Sequence, residues 1–141
     1  MRVDVLNGVN LDVLGKRDPS LYGGVSLDEL ETRIYGWANA LGLSVRCRQT
    51  NHEGEFVEWC HDLVDGFDGA VLNPGAWTHY AWAIRDALDF VGVPLVEVHL
   101  SKIEEREEWR RSSVLEGVVA HRITGLGPDG YREALEYLAK R

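Results

Sequence analysis

GAVLNPGAWTHYAWAIRDALDFVGVPLVEVHLS, residues 69–101, decides the fold. GAVLN at 69–73 and PLVEVHLS at 94–101 are short β-branched runs. Between them THYAWAIRDALDFV, 78–91, carries apolar residues at helical spacing and stops before Pro94. A strand, a helix and a strand in this order predict a right-handed crossover between two parallel strands.

The same alternation extends both ways. Upstream, Val3 and Val5 open a first strand ending at Leu6. Leu27, Leu30, Ile34, Trp37, Ala38 and Leu41 then repeat as one helical face, with Ser26 and Glu29 as a capping box and Gly42 as the stop. LSVRCRQ, 43–49, reads as the second strand. Phe56, Val57, Cys60, Leu63 and Val64 line a second helix that ends at Gly66. Downstream, EGVVAHRITGLG, 116–127, holds a fifth strand, and Pro128 opens a last helix on Tyr131, Ala134, Leu135 and Leu138. Five strands alternating with helices predict an α/β fold: a parallel sheet covered on both faces, in the flavodoxin-like order 2-1-3-4-5. Its ligand crevice is expected beyond the carboxyl ends of strands 1 and 3.

At 141 residues the chain is expected to form one domain, 1–141, with a core that needs no staples. A net charge of −8 argues against a nucleic-acid surface. No apolar run approaches a membrane span, and no signal-like segment precedes the first strand, so no membrane role is expected. Cys47 and Cys60 match no zinc or redox spacing; they read as small buried hydrophobes in a reducing cytoplasm.

Polar residues collect at the strand exits. The first strand runs into Asn7 and Asn10, and the third ends at Asn73. In the fourth, Glu97, His99 and Ser101 share one face, and Val96, Val98 and Leu100 the other. A strand buried on both sides should read as continuous hydrophobics, so these polar groups point to a site. Each also has a plain alternative. His99 alone fits a satisfied core histidine as well as a catalytic one, Asn10 and Asn73 can simply close turns, and Glu97 can be an ion-pair partner. His79 and Asp86, seven apart on the expected helix, can be a solvated stripe.

KRDPSLYGG, 16–24, shows no apolar period, and the chain from the first strand to Ser26 reads as an irregular loop of about twenty residues. It carries Arg17 and Tyr22. There is no Gly-rich phosphate fingerprint, no Ser-His-Asp elbow, and no lysine inside a strand for an imine; a zinc set of Glu97, His99 and His79 stays open. A histidine, amides, a hydroxyl, an arginine and a tyrosine suit proton transfer with oxyanion stabilisation. Tyrosine becomes a usable base only when its pKa falls from about 10 toward neutrality, and neighbouring guanidinium groups favour that. EEREEWRR, 104–111, supplies Arg106 and Arg110 one helical turn apart; it also reads as a solvated charged helix.

NGVNL, GKRDPSLYGG, QTNHEGE, LNPGAWTH, AIRDAL, VEVHLS, REEWRRSS and GLGPDGY, in this order along the whole chain, resemble the type II 3-dehydroquinate dehydratases. The resemblance implies a flavodoxin-like enzyme, often a dodecamer of four trimers, that works without metal or cofactor on 3-dehydroquinate. It implies Tyr22 as a tyrosinate base, Arg17 as the lid arginine that supports it, and Asn10 as holder of a water against the enolate oxygen. His99 is implied as the general acid, with Glu97 orienting its ring. Asn73, His79, the Leu100 amide, the Ser101 hydroxyl and Arg110 match substrate contacts. Arg106 matches the second arginine near the tyrosine, and Asp86 the residue that reaches a neighbouring subunit's site. Gly23 and Gly24 are the expected hinge of the closing loop. Val9 stands in place of the usual proline of NGPNL, which implies a looser turn at Asn10, and Lys102 and Glu104 replace the usual Asn and His. The competing expectations are a flavodoxin- or receiver-like binding module, and a catalytically inactive relative. A receiver requires an aspartate where this chain has Asn73.

Overall fold

The computed structural model describes residues 1–141. Five strands form one parallel sheet: β1 (Arg2–Asn7), β2 (Ser44–Gln49), β3 (Gly69–Asn73), β4 (Leu95–His99) and β5 (His121–Thr124), in the order β2-β1-β3-β4-β5. This is the expected flavodoxin-like arrangement. The helices are α1 (Pro19–Tyr22), α2 (Leu27–Ala40), α3 (Glu53–Asp62), α4 (Trp82–Leu88) and α5 (Asp129–Ala139).

Strand alternation divides the core. Val3, Val5, Val71, Val96 and Val98 pack against α2 and α5. Leu6, Ala70, Leu72 and Leu95 face the other way, against α3 and α4. Because β1, β3 and β4 are covered on both sides, their side chains are almost wholly buried. Ser26 caps α2 as its position predicts, its Oγ accepting from the Glu29 N–H at 3.1 Å.

Three expected elements differ. The stretch before Ser26 is not irregular: Leu11–Lys16 forms a 3₁₀ turn, and α1 follows, capped by Asp18, whose carboxylate accepts from the Ser20 N–H. Pro19 at the first position of α1 favours helical backbone there. The helix expected over 78–91 is broken. Gly75–His79 is a separate 3₁₀ turn and Tyr80, at φ −155°, interrupts the path into α4, so His79 and Asp86 share no helix face. Finally, 104–111 is not a helix. Ile103–Glu105 and Glu108–Arg110 are single 3₁₀ turns with extended backbone at Arg106 between them.

Asp4 is fully buried in β1, a position where the sequence alone raises no flag. Its carboxylate accepts from Arg46 at 3.1 Å and from Arg48 at 2.7 Å, which tie the edge strand β2 to the sheet centre. Removing Asp4 takes away the shared acceptor of both arginines, whose side chains keep part of their surface in solvent. Asp4→Ala is therefore expected to cost about 2 kcal/mol in denaturant unfolding, the scale of hydrogen bonds to a charged group, with the activity of the residual folded protein retained. A loss within ~0.5 kcal/mol, the range of ordinary surface changes, contradicts this account of the edge strand.

Candidate active site

The strand exits open onto a cleft beyond the carboxyl ends of β1, β3 and β4. Asn10, Asn73, His99, Leu100 and Ser101 line it from the sheet. Arg17 and Tyr22 close it from the 16–24 segment, and His79, Arg106 and Arg110 from the flanking turns. Three arginines and no acidic residue face this space, so the cleft is locally cationic inside an acidic protein.

Tyr22 is buried, and its phenol oxygen is the meeting point of two distant segments. Arg17 Nη2 donates to it at 2.7 Å and Arg106 Nη1 at 2.6 Å. The Arg17 guanidinium also stacks over the ring, 4.0 Å from its centre. Two cationic N–H groups thus converge on this one oxygen. The extended backbone at Arg106 is what lets that side chain span 84 residues of sequence to Tyr22; its Nη1 also donates to Ser101 Oγ at 3.2 Å. Gly23 and Gly24 follow Tyr22 with φ of 87° and 71°, backbone that glycine adopts most readily. A Cβ on Gly23 would stand 2.6 Å from Pro128 Cδ.

His99 and Glu97 form the second centre. Glu97 is fully buried behind the cleft and its Oε2 lies 2.6 Å from His99 Nε2. Burial opposes the charge on this carboxylate, but the bonds from His99, Thr78 and Ser113 outweigh it and hold Glu97 below the ordinary carboxylate range. An ionised carboxylate only accepts, so Nε2 carries the hydrogen and Nδ1 is the nitrogen left for a ligand. His79 stacks beside His99, ring centres 6.2 Å apart. Its Nδ1 donates to the Ser112 carbonyl at 2.8 Å. Burial, with His99 and Arg110 nearby, pushes His79 below the usual histidine range despite that bond, leaving it neutral with Nε2 as an acceptor.

The amides are fixed more firmly than turn residues need to be. Asn10 is the only non-glycine residue with positive φ, 71°, a conformation that asparagine tolerates. Its N–H donates to Asn51 Oδ1 at 2.8 Å, and Asn51 in turn donates to Asp12 at 2.9 Å. The turn at Val9 is thus braced without the proline: a Cβ on Gly75 would meet the Val9 carbonyl oxygen at 2.6 Å. Asn73 donates to the Tyr131 oxygen at 2.9 Å and accepts from the Gly75 N–H at 3.1 Å. Tyr131 donates to Asn7 at 2.6 Å, and complete burial pushes its phenol up, so it stays protonated.

Of the residues expected to act on or bind the substrate, all but two line the cleft. Glu97 lies behind His99. Asp86 lies outside, on α4 among Trp82, Arg85 and Asp89. Glu97, His99 and His79 do not converge as a zinc ligand set. Trp82 and Phe90 are 66% and 59% exposed. Cys60 is buried and Cys47 half-buried; burial pushes both thiols up to about 12, away from reactivity. No local pattern marks Thr78, Ser113, Asn51 or Tyr131, whose partners lie 19, 16, 41 and 124 residues away.

No helix is long and apolar enough to cross a membrane. Residues 1–139 match the family Dehydroquinase class II. The chain is 51% identical over 141 residues to the 3-dehydroquinate dehydratase of Thermotoga maritima, covering 100% of this chain and 96% of that one. It is 49% identical over 137 residues to the enzyme of the same name from Deinococcus radiodurans, covering 96% of each. The crystal structure of the type II dehydroquinase from Propionibacterium acnes superposes with a TM-score of 0.96 at 44% identity, over 99% of this chain and 97% of that one. The chain belongs to the class II dehydroquinases.

Proposed function

We propose that the protein is a 3-dehydroquinate dehydratase that removes water through an enolate, with Tyr22 as base and His99 as acid. The observation that carries this reading is the Tyr22 oxygen held between Arg17 and Arg106 at the mouth of a cleft whose floor presents His99. Tyr22, as tyrosinate, takes the proton from the carbon next to the ketone, and the C–H electrons pass into the enolate. Asn10, held rigid in its left-handed turn, positions a water against the enolate oxygen. The enolate collapses to the enone as the C–O bond breaks, and His99 delivers a proton to the departing hydroxyl. One water and 3-dehydroshikimate result, by trans elimination, and every proton travels through a side chain.

Arg110, His79, Asn73, the Leu100 amide and Ser101 receive the substrate's hydroxyls and carboxylate. The cationic lining favours that anion despite the negative net charge. Exposed Trp82 and Phe90 suit contacts between chains, and Asp86, outside its own cleft, suits a reach into a neighbour's; a dodecamer of four trimers fits both. The setting is the cytoplasm, and the reaction serves the shikimate pathway or quinate breakdown.

Mixing the protein with 3-dehydroquinate is expected to produce the absorbance of a conjugated enone, unaffected by borohydride because no imine forms. No absorbance change, or inactivation by borohydride with substrate, contradicts the reading.

A further inference from the structure

We propose that Thr78 and Ser113 are positioning residues: their hydroxyls clamp Glu97 so that it keeps His99 oriented with Nδ1 toward the substrate. The inference deepens the dehydration reading and rests on it for its kinetic arm. Thr78 Oγ1 donates to Glu97 Oε2 at 2.6 Å, a contact as short as that of His99 and equally buried. Ser113 Oγ lies 3.0 and 2.9 Å from the two carboxylate oxygens. It also accepts from the Leu115 N–H at 3.0 Å, which directs its own hydrogen toward Glu97.

Three donors therefore serve one fully buried carboxylate. Protonation of Glu97 would place a hydrogen on one of these oxygens and weaken the carboxylate as an acceptor for the three donors. The clamp therefore favours the ionised carboxylate. The anion in turn steadies the imidazolium from which the proton leaves.

The clamp also has a second anchor. The Val114 N–H donates to the Thr78 carbonyl at 2.7 Å, and His79 Nδ1 donates to the Ser112 carbonyl. The 75–79 turn and the 112–114 segment are thereby laced together across Glu97. The second segment continues from the one that carries Arg106 and Arg110, so placement of the guanidinium groups and orientation of the acid share one fastening.

Other charged groups around Glu97 are accounted for. His79 is bound to Ser112 and stacks on His99. Arg122 stands opposite Glu97 in β5, but pairs with Glu116 at 3.0 Å. Arg110 binds Glu107, and Arg85 of α4 donates to the carbonyls of Val114 and Glu116. None of these supplies a hydrogen bond to the Glu97 carboxylate, so a lost hydroxyl has no ready substitute.

The test uses Thr78→Val, Thr78→Ser and Ser113→Ala in the full chain, each checked by circular dichroism. Thr78→Val and Ser113→Ala are each expected to lower kcat about tenfold, the scale of a hydrogen bond to a charged group. KM should stay within about twofold, since ground-state binding is untouched. The acid limb of the kcat profile should move toward neutrality, because an anion short of a donor gains its proton at higher pH. Thr78→Ser, which keeps the hydroxyl, should return kcat to within about threefold of the parent. The Glu97 carboxylate titration, followed by ¹³C NMR, should move in the same direction in Thr78→Val. Wild-type kcat and acid limb in Thr78→Val overturn the proposal, as does a serine variant no better than valine. If the parent protein fails to dehydrate dehydroquinate while the NMR titration still moves, the clamp stands and the dehydration reading falls.

Discussion

Tyr22→Phe is expected to lower kcat by about 10³-fold or more, the upper range for a positioned acid or base, with little change in KM. The substitution removes one oxygen and almost nothing else. The ring sits in the core cluster shared with α2 and α5, among Leu11, Leu14 and Val25, and a phenylalanine fills the same space. Arg17 keeps its stack over the ring face, because that contact uses the aromatic cloud and not the hydroxyl. Arg106 keeps Ser101 as acceptor. The two guanidinium groups stay in the cleft, so substrate anion binding survives while proton abstraction does not. Continuous recording of the enone measures kcat, and thermal unfolding checks that the fold is unchanged. Turnover at the parental rate in Tyr22→Phe excludes the tyrosine as base.

His99→Ala should cost a comparable factor, about 10³-fold in kcat, equivalent to about 4 kcal/mol of transition-state stabilisation. Its origin is different. The hydroxyl is a poor leaving group unless it is protonated as it departs, and no other side chain of the cleft stands in this place with a carboxylate behind it. His79 is the nearest rival, but it is pushed toward the neutral form and its Nδ1 hydrogen is committed to Ser112. The variant should remain folded, since Glu97 keeps Thr78 and Ser113 as donors after the imidazole is gone. Stopped-flow and steady-state traces that match the parent would falsify the assignment of His99 as acid.

The alternation of strands and helices was legible because it follows from local patterns, β-branched runs, a serine cap and glycine stops; the strand order and the cleft then follow from the doubly wound topology such alternation favours. The polar exits of β1, β3 and β4 were legible for the same reason, since alternation along a strand shows which side chains share a face. What was not legible depends on contacts made across the chain. The apolar period through 78–91 is genuine, yet the turn that carries Thr78 is held by Glu97, Trp77 packs edge-on against Phe56 at 5.6 Å, and the helix cannot pass through Tyr80. The charged run at 104–111 has helical propensity, but Arg106 is drawn to Tyr22 and takes an extended backbone. Tertiary contacts override local preference in both places. The Asp4 network is invisible locally because its arginines are 42 and 44 residues away and each, alone, reads as a surface cation on an edge strand. Tyr131 reads as one more core residue of α5; only the fold shows its hydroxyl joining Asn7 to Asn73 beneath the cleft.

The two chemical steps can be separated by isotope washout from the carbon next to the ketone, measured in heavy water with recovered substrate. Enolate formation at Tyr22 precedes the departure assisted by His99, so His99→Ala should still exchange that hydrogen with solvent while forming almost no enone. Tyr22→Phe should do neither. Exchange in Tyr22→Phe at the rate of the parent enzyme would mean that another group takes the proton and that Tyr22 is not the base.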